Sequence, residues 1–141
     1  IFTAGLGQGS ERDGEALLAP EGVELAEALV GTGFSYDAAT RARQGEAVGR
    51  LVPAVRDIRR AGAGALDVCA VASGALDAHY ELGLNPWDIA AAVLVVTEAG
   101  GATEYFDGPD GGLVSVITQR TLMPVLTSTL AAAGALVLPR F

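Results

Sequence analysis

Two carboxylates seven residues apart, Glu81 and Asp88, bracket the short connection Leu82-Gly83-Leu84-Asn85 between an extended segment and an apolar run. Asp88 heads that run, from Trp87-Asp88-Ile89-Ala90-Ala91 to Glu98-Ala99-Gly100-Gly101. A carboxylate buried at the start of an apolar helix costs several kcal/mol, roughly, unless a cation or several donors compensate it. One compensation is capping, because Asp accepts the orphan N–H groups of a helix start and its charge suits the positive end. The other is a metal ion, and the sequence leaves both open. Mg²⁺ is the hard cation this donor chemistry suits: it takes oxygen ligands, keeps several waters and is held by one or two carboxylates plus substrate phosphate. If the strand carrying Glu81 ends beside the helix that opens near Asp88, both acids face one crevice at strand carboxyl ends. Upstream, Gly62-Ala63-Gly64 brings small side chains and free backbone N–H groups to a helix start, which suits a phosphate or a polyol hydroxyl, and equally suits close packing.

Other chemistries find little support. Ser10, Ser35, Ser73, Ser115 and Ser128 lack a G-x-S-x-G context, and the single histidine, His79, limits any Ser-His-Asp scheme. Zinc would need companions for His79 at short spacing, and Cys69 alone is near, so His79 reads as a structural or surface histidine. The glycines of Gly5-Leu6-Gly7-Gln8-Gly9 are followed by neither Lys-Ser/Thr nor a helical pattern, so turn chemistry outweighs a phosphate loop. Arg59 and Arg60 are more readily solvated or salt-bridged than ligand-binding.

The elements that must position these residues alternate. Ile1 to Ala4 and Glu15 to Leu18 flank the glycine stretch and the Asp13-Gly14 turn as a hairpin. Glu24 to Thr32 reads as a strand that breaks into a loop at Gly31-Thr32-Gly33. Ala39 to Asp57 has the apolar spacing of an amphipathic helix, kinked or broken at Pro53. Ala65 to Ser73 is a buried helix stopped by Gly74, and Ala75 to Glu81 a short strand holding Asp77, His79 and Tyr80. After the helix running from Pro86 to Gly100 come strands at Ala102 to Phe106 and Leu113 to Ile117, joined by the turn cluster 107–112, and a final helix from Arg120 to Ala133. Mixed strands and helices define an α/β class.

With 141 residues, half of them apolar, the chain supports one domain with a real core. Its formal charge is −8 and every basic residue is Arg, which argues against non-specific nucleic-acid binding. One cysteine excludes an internal disulfide, and no apolar run reaches the ~18–20 residues of a membrane span. A cytoplasmic protein without membrane contact is the expectation. Ile1-Phe2-Thr3-Ala4 lacks an initiator Met and reads as the middle of a strand, so a fragment is expected.

Taken together, Gly62-Ala63-Gly64-Ala65-Leu66-Asp67, Asp77-Ala78-His79-Tyr80-Glu81, Pro86-Trp87-Asp88-Ile89-Ala90-Ala91 and Val96-Thr97-Glu98-Ala99-Gly100-Gly101 resemble the inositol monophosphatases. Thr32-Gly33-Phe34-Ser35-Tyr36-Asp37 resembles the stretch that family carries before its long helix. The likeness extends over nearly all of residues 1–141, but only over the family's C-terminal half. It implies the C-terminal portion of a layered α/β/α/β/α sandwich, a magnesium-dependent phosphomonoesterase, and a homodimer that is often lithium-sensitive. By this resemblance Asp88 is a metal ligand, Glu81 hydrogen-bonds the inositol hydroxyls, the Gly62-Ala63 backbone contacts substrate, and Glu98 is structural. Ala63 stands where the family commonly has Thr or Ser, and Ala92 where Gly often follows the paired alanines. The family's Asp-Pro-x-Asp-Gly-Thr motif and upstream Glu, which supply most metal ligands and position the attacking water, are not among these residues.

No catalytic residue is therefore assigned within the chain; its expected partners are the family's N-terminal half and a small phosphorylated polyol. The leading expectation is hydrolysis of inositol monophosphate by the full-length enzyme. Alternatives are a relative acting on histidinol phosphate, fructose bisphosphate or a 3′-phosphonucleotide, and an inert fragment that contributes packing and subunit contacts.

Overall fold

A computed structural model of the chain describes residues 1–139. Its first element is a meander of three antiparallel strands, β1 (Phe2–Gly5), β2 (Gly9–Arg12) and β3 (Glu15–Ala16). The expected hairpin thus gains a middle strand: Phe2 pairs with Arg12, and Glu15 pairs with Arg12 from the other side. Each turn relies on positive φ, at Gly7 and at Gly9 where β2 opens in the first and at Asp13-Gly14 in the second, so the glycine stretch is a turn.

A five-stranded sheet follows, with β4 (Leu29–Thr32), β5 (Asp57–Arg59), β6 (Ala78–Leu82), β7 (Ala102–Asp107) and β8 (Leu113–Thr118) in the order β5-β4-β6-β8-β7. β4 is parallel to β5 and to β6, while β8 is antiparallel to β6 and β7. Helix α1 (Ala38–Leu51) crosses from β4 to β5, and α2 (Gly64–Ala72) crosses from β5 to β6. The expected long helix to Asp57 ends at Leu51 because Pro53, lacking an N–H, sits in a 3₁₀ turn at Val52–Ala54, after which Asp57 opens β5. α3 (Pro86–Glu98) and α4 (Met123–Ala133) complete the fold; Gly134, at φ 83°, takes the left-handed conformation that ends α4.

Two apolar clusters mark the layers. One packs Leu51 of α1 and Leu126 and Leu130 of α4 on Val30, Ala78, Tyr80, Val114 and Val116 of the sheet. The other packs Val68 and Val71 of α2 and Ile89, Val95 and Val96 of α3 on Ile117, with Phe2 and Ala4 of the meander against its outer side. The order is therefore helices, sheet, helices, sheet: four layers of an α/β sandwich. Cys69 is buried in the second cluster, and burial pushes its thiol up from the usual range, away from the reactive thiolate.

Glu98 ties the outer layer on. Its carboxylate, at the end of α3, accepts hydrogen bonds from Gly7 N and Gly9 N, each at 2.9 Å, and these hold it below the usual carboxylate range. The structural role expected for Glu98 is thus a clamp across the β1–β2 turn. Glu98→Gln offers one acceptor where two are needed, so a lower melting temperature at neutral pH is expected. A depressed folded-state pKa contributes stability that is complete above the unfolded value and lost as pH falls through the folded one. The difference between wild type and variant should therefore close as melts are taken from neutral pH down to about pH 3, and a difference independent of pH would remove Glu98 as an ionised clamp.

Candidate alcohol-binding crevice and metal corner

Because α1 and α2 leave β4 and β5 for opposite faces of the sheet, the carboxyl end of β4 is a topological switch point, the place where α/β sheets open a crevice. The chain at that point is Gly33, and the neighbouring strand end carries Glu81. Side chains two apart on a strand share a face, so His79 and Glu81 both point from β6 toward the α2–α3 layer, whereas Ala78 and Tyr80 point toward α1 and α4. On β4, Gly31 pairs in register with His79, and Gly33 follows two residues on.

These two glycines make a furrow. A Cβ at Gly31 would come 2.8 Å from His79 Nδ1 and 2.7 Å from Leu76 Cδ1, and a Cβ at Gly33 would fall inside the Glu81 carboxylate. The far wall is the start of α2, where a Cβ at Gly64 would lie 3.7 Å from Glu81 Oε2 and 3.1 Å from Leu84 Cδ2. Glu81 is 20 % exposed, and His79 Nε2 lies 3.1 Å from its Oε2. No hydrogen bond engages Oε1 among the described residues.

Gly62 is left-handed, at φ 85°, and a Cβ there would meet the Arg60 guanidinium at 2.7 Å. Arg60 thus folds over the turn, whereas Arg59 pairs with Asp57 on the surface. Ala63 is the residue before the first turn of α2, and its methyl offers no cap. A Ser or Thr at this position would close on the first-turn N–H groups; with Ala63 those donors stay open beside Glu81. The expected set thereby divides: Gly64, Glu81 and the start of α2 converge, while Gly62 and Ala63 form the turn leading into them.

Asp88 is exposed and is not the buried acid the apolar run suggested. It lies on the first turn of α3, where Pro86 is the first helical residue and Asn85 the cap residue. Its Oδ2 accepts from Asn85 N at 3.0 Å and Asn85 Nδ2 at 3.1 Å, as one arm of a capping box. The helix buries Ile89 and Ala92 and turns Asp88 and Trp87, 80 % exposed, to the outside. Capping is real, but it uses one oxygen; Oδ1 has no hydrogen bond among the described residues. That free oxygen on a hard ligand suits one corner of a Mg²⁺ site and no more. Among the described residues no cluster of three His, Cys, Asp or Glu side chains could hold a metal ion.

His79 was missed as a partner of Glu81, although their two-residue spacing on a strand was the signal. The sequence places a break at Gly31-Thr32-Gly33, whereas Gly31 lies within β4, and the alternation of Gly31 and Gly33 carries the furrow.

The fold and the crevice define an α/β sandwich with a carboxylate at its switch point, and comparison with known proteins narrows the class. Residues 1–136 match the inositol monophosphatase family, to which the chain belongs. It is 40% identical over 136 residues to inositol-1-monophosphatase of Mycobacterium bovis, covering 94% of this chain and 47% of that protein. It is 40% identical over 109 residues to the Nus factor SuhB of Escherichia coli K12, covering 77% of this chain and 41% of that protein. Among solved structures, Mycobacterium tuberculosis SuhB superposes with a TM-score of 0.85 at 38% identity, over 96% of this chain and 56% of that one. The chain spans about half the length of the curated relatives it matches. Among the described residues no helix is long and apolar enough to cross a membrane.

Proposed function

We propose that residues 1–141 supply the alcohol-binding wall and one metal-ligating carboxylate of a magnesium-dependent phosphomonoesterase, acting on inositol monophosphate or a similar small polyol phosphate. The observation that carries this reading is Glu81, a carboxylate with one oxygen held by His79 and the other free in a glycine-walled crevice. An ionised carboxylate accepts hydrogen bonds and donates none, so its natural ligand there is a hydroxyl. The open N–H groups at the start of α2 suit an oxygen of the same ligand. Asp88 Oδ1 would hold Mg²⁺ together with ligands from residues outside this chain. When bound, magnesium would supply the charge that activates a water and offsets negative charge on phosphate and leaving oxygen. Orienting the departing alcohol and excluding alternatives then falls to Glu81 and the furrow.

The test is a substrate panel on the full-length protein: inositol 1-phosphate, fructose 1,6-bisphosphate, histidinol phosphate, a 3′-phosphonucleotide and p-nitrophenyl phosphate, with wild type and Glu81→Ala. Inositol phosphate should be the preferred substrate, and the variant should raise its KM about tenfold or more, since a site built around a hydroxyl contact discriminates strongly once the contact is lost. Equal activity on inositol and p-nitrophenyl phosphates, unmoved by the variant, would remove Glu81 as the alcohol ligand.

A further inference from the structure

His79 is fully buried on β6, yet it fills its space with two ring nitrogens instead of carbon. Nε2 meets Glu81 Oε2 at 3.1 Å, and Nδ1 has no partner among the described residues. An ionised carboxylate can only accept, so Nε2 carries the hydrogen and donates it, and Nδ1 keeps a bare lone pair. This is the less costly tautomer, because an unpaired buried acceptor is tolerated better than an unpaired buried N–H.

The imidazole is also the one hydrogen-bonding partner Glu81 has among the described residues. Ser115, its register partner on β8, has a buried hydroxyl with no hydrogen bond among the described residues. Gly31 provides the space in which the ring lies, and Gly33 provides the space for the carboxylate. A flexible Glu side chain that must be ordered by its ligand binds more weakly than one ordered beforehand.

From this geometry we infer that His79 is a positioning residue: its Nε2–H fixes Oε2, turns Oε1 to a hydroxyl of the substrate alcohol, and so sets the preference for polyol phosphates over esters of alcohols without further hydroxyls. The inference rests on the reading of Glu81 as the alcohol ligand.

Side-chain isosteres separate positioning from packing. In the full-length protein, His79→Gln sets an amide nitrogen near the Nε2 position, whereas His79→Asn sets one near Nδ1, and His79→Phe keeps the ring without a donor. The readout is kcat/KM on inositol 1-phosphate divided by kcat/KM on p-nitrophenyl phosphate. For His79→Asn and His79→Phe this ratio should fall about tenfold, chiefly through KM for the inositol ester, as expected for loss of a charge-assisted hydrogen bond. His79→Gln should hold it within about threefold of wild type. If the Phe variant does not fold, the contrast of Gln with Asn carries the comparison. A ratio unchanged in the Asn variant, or a Gln variant as impaired as the Asn one, overturns the inference. Glu81→Ala locates the failure. A ratio lowered by Glu81→Ala but not by His79→Asn overturns positioning alone, and a ratio that Glu81→Ala leaves untouched overturns the alcohol-ligand reading beneath it.

Discussion

Replacing Asp88 by Asn in the full-length protein is expected to lower magnesium-dependent kcat by at least about a hundredfold while moving stability by no more than about 1 kcal/mol. The two effects separate because Asp88 has two oxygens with different tasks. Oδ2 closes the capping box on Asn85, and an Asn amide oxygen can accept the same bond. What Asn cannot supply is the negative charge, whose interaction with the helix N-terminus in water is worth only a few tenths to 1 kcal/mol or so. Toward a hard dication, however, a neutral amide is a far poorer ligand than a carboxylate. Parallel measurement of kcat at saturating magnesium and of the melting temperature therefore distinguishes cap from ligand. A variant with unchanged kcat and a lowered melting temperature would make Asp88 a cap alone. Trp87, exposed beside it, is a probe that does not depend on turnover: its fluorescence should change on magnesium titration, and the variant should need a much higher magnesium concentration to reach the same change.

The parts of this arrangement that a linear reading reached are those with local causes. Helices α2, α3 and α4 were legible because apolar spacing, Pro86 and Gly74 mark their bodies and several of their ends within a few residues. The turn at Gly5–Gly9 was legible from glycine content, although not its docking to Glu98, which lies 91 residues beyond Gly7. α1 was overextended because an amphipathic pattern continues past Leu51, and the strand at Asp57 exists only through its pairing with β4. β2 escaped notice for the same reason: Gly9-Ser10-Glu11-Arg12 has no apolar alternation, and it is a strand because β1 and β3 flank it. The site divides likewise. Glu81 at a strand end and the small residues leading into α2 were visible as types and spacing. The burial expected of Asp88 was not found, since an apolar run after an acid does not say which side of the first turn faces water. The furrow needed β4 laid against β6, because Gly31 and Gly33 acquire meaning only opposite His79 and Glu81.

Gly33→Ala should have the second-largest effect, a KM for inositol 1-phosphate raised about tenfold or more in the full-length protein together with a stability loss of roughly 1–3 kcal/mol. The added methyl would occupy the volume of the Glu81 carboxylate. That group is the far end of a flexible side chain, so it yields before the strand backbone does, and the crevice loses its hydroxyl acceptor without losing the fold. Its departure leaves His79 Nε2–H buried with no acceptor, and an unsatisfied buried donor accounts for most of the stability cost. The double variant decides whether this route is correct. In a Glu81→Ala background the space is already vacant and the His79 partner already lost, so Gly33→Ala should add little to either KM or stability, a coupling of about 1 kcal/mol or more between adjacent positions. Additive losses would mean that Gly33 is required for the path of the backbone from β4 into Phe34, and that the carboxylate is seated by other contacts.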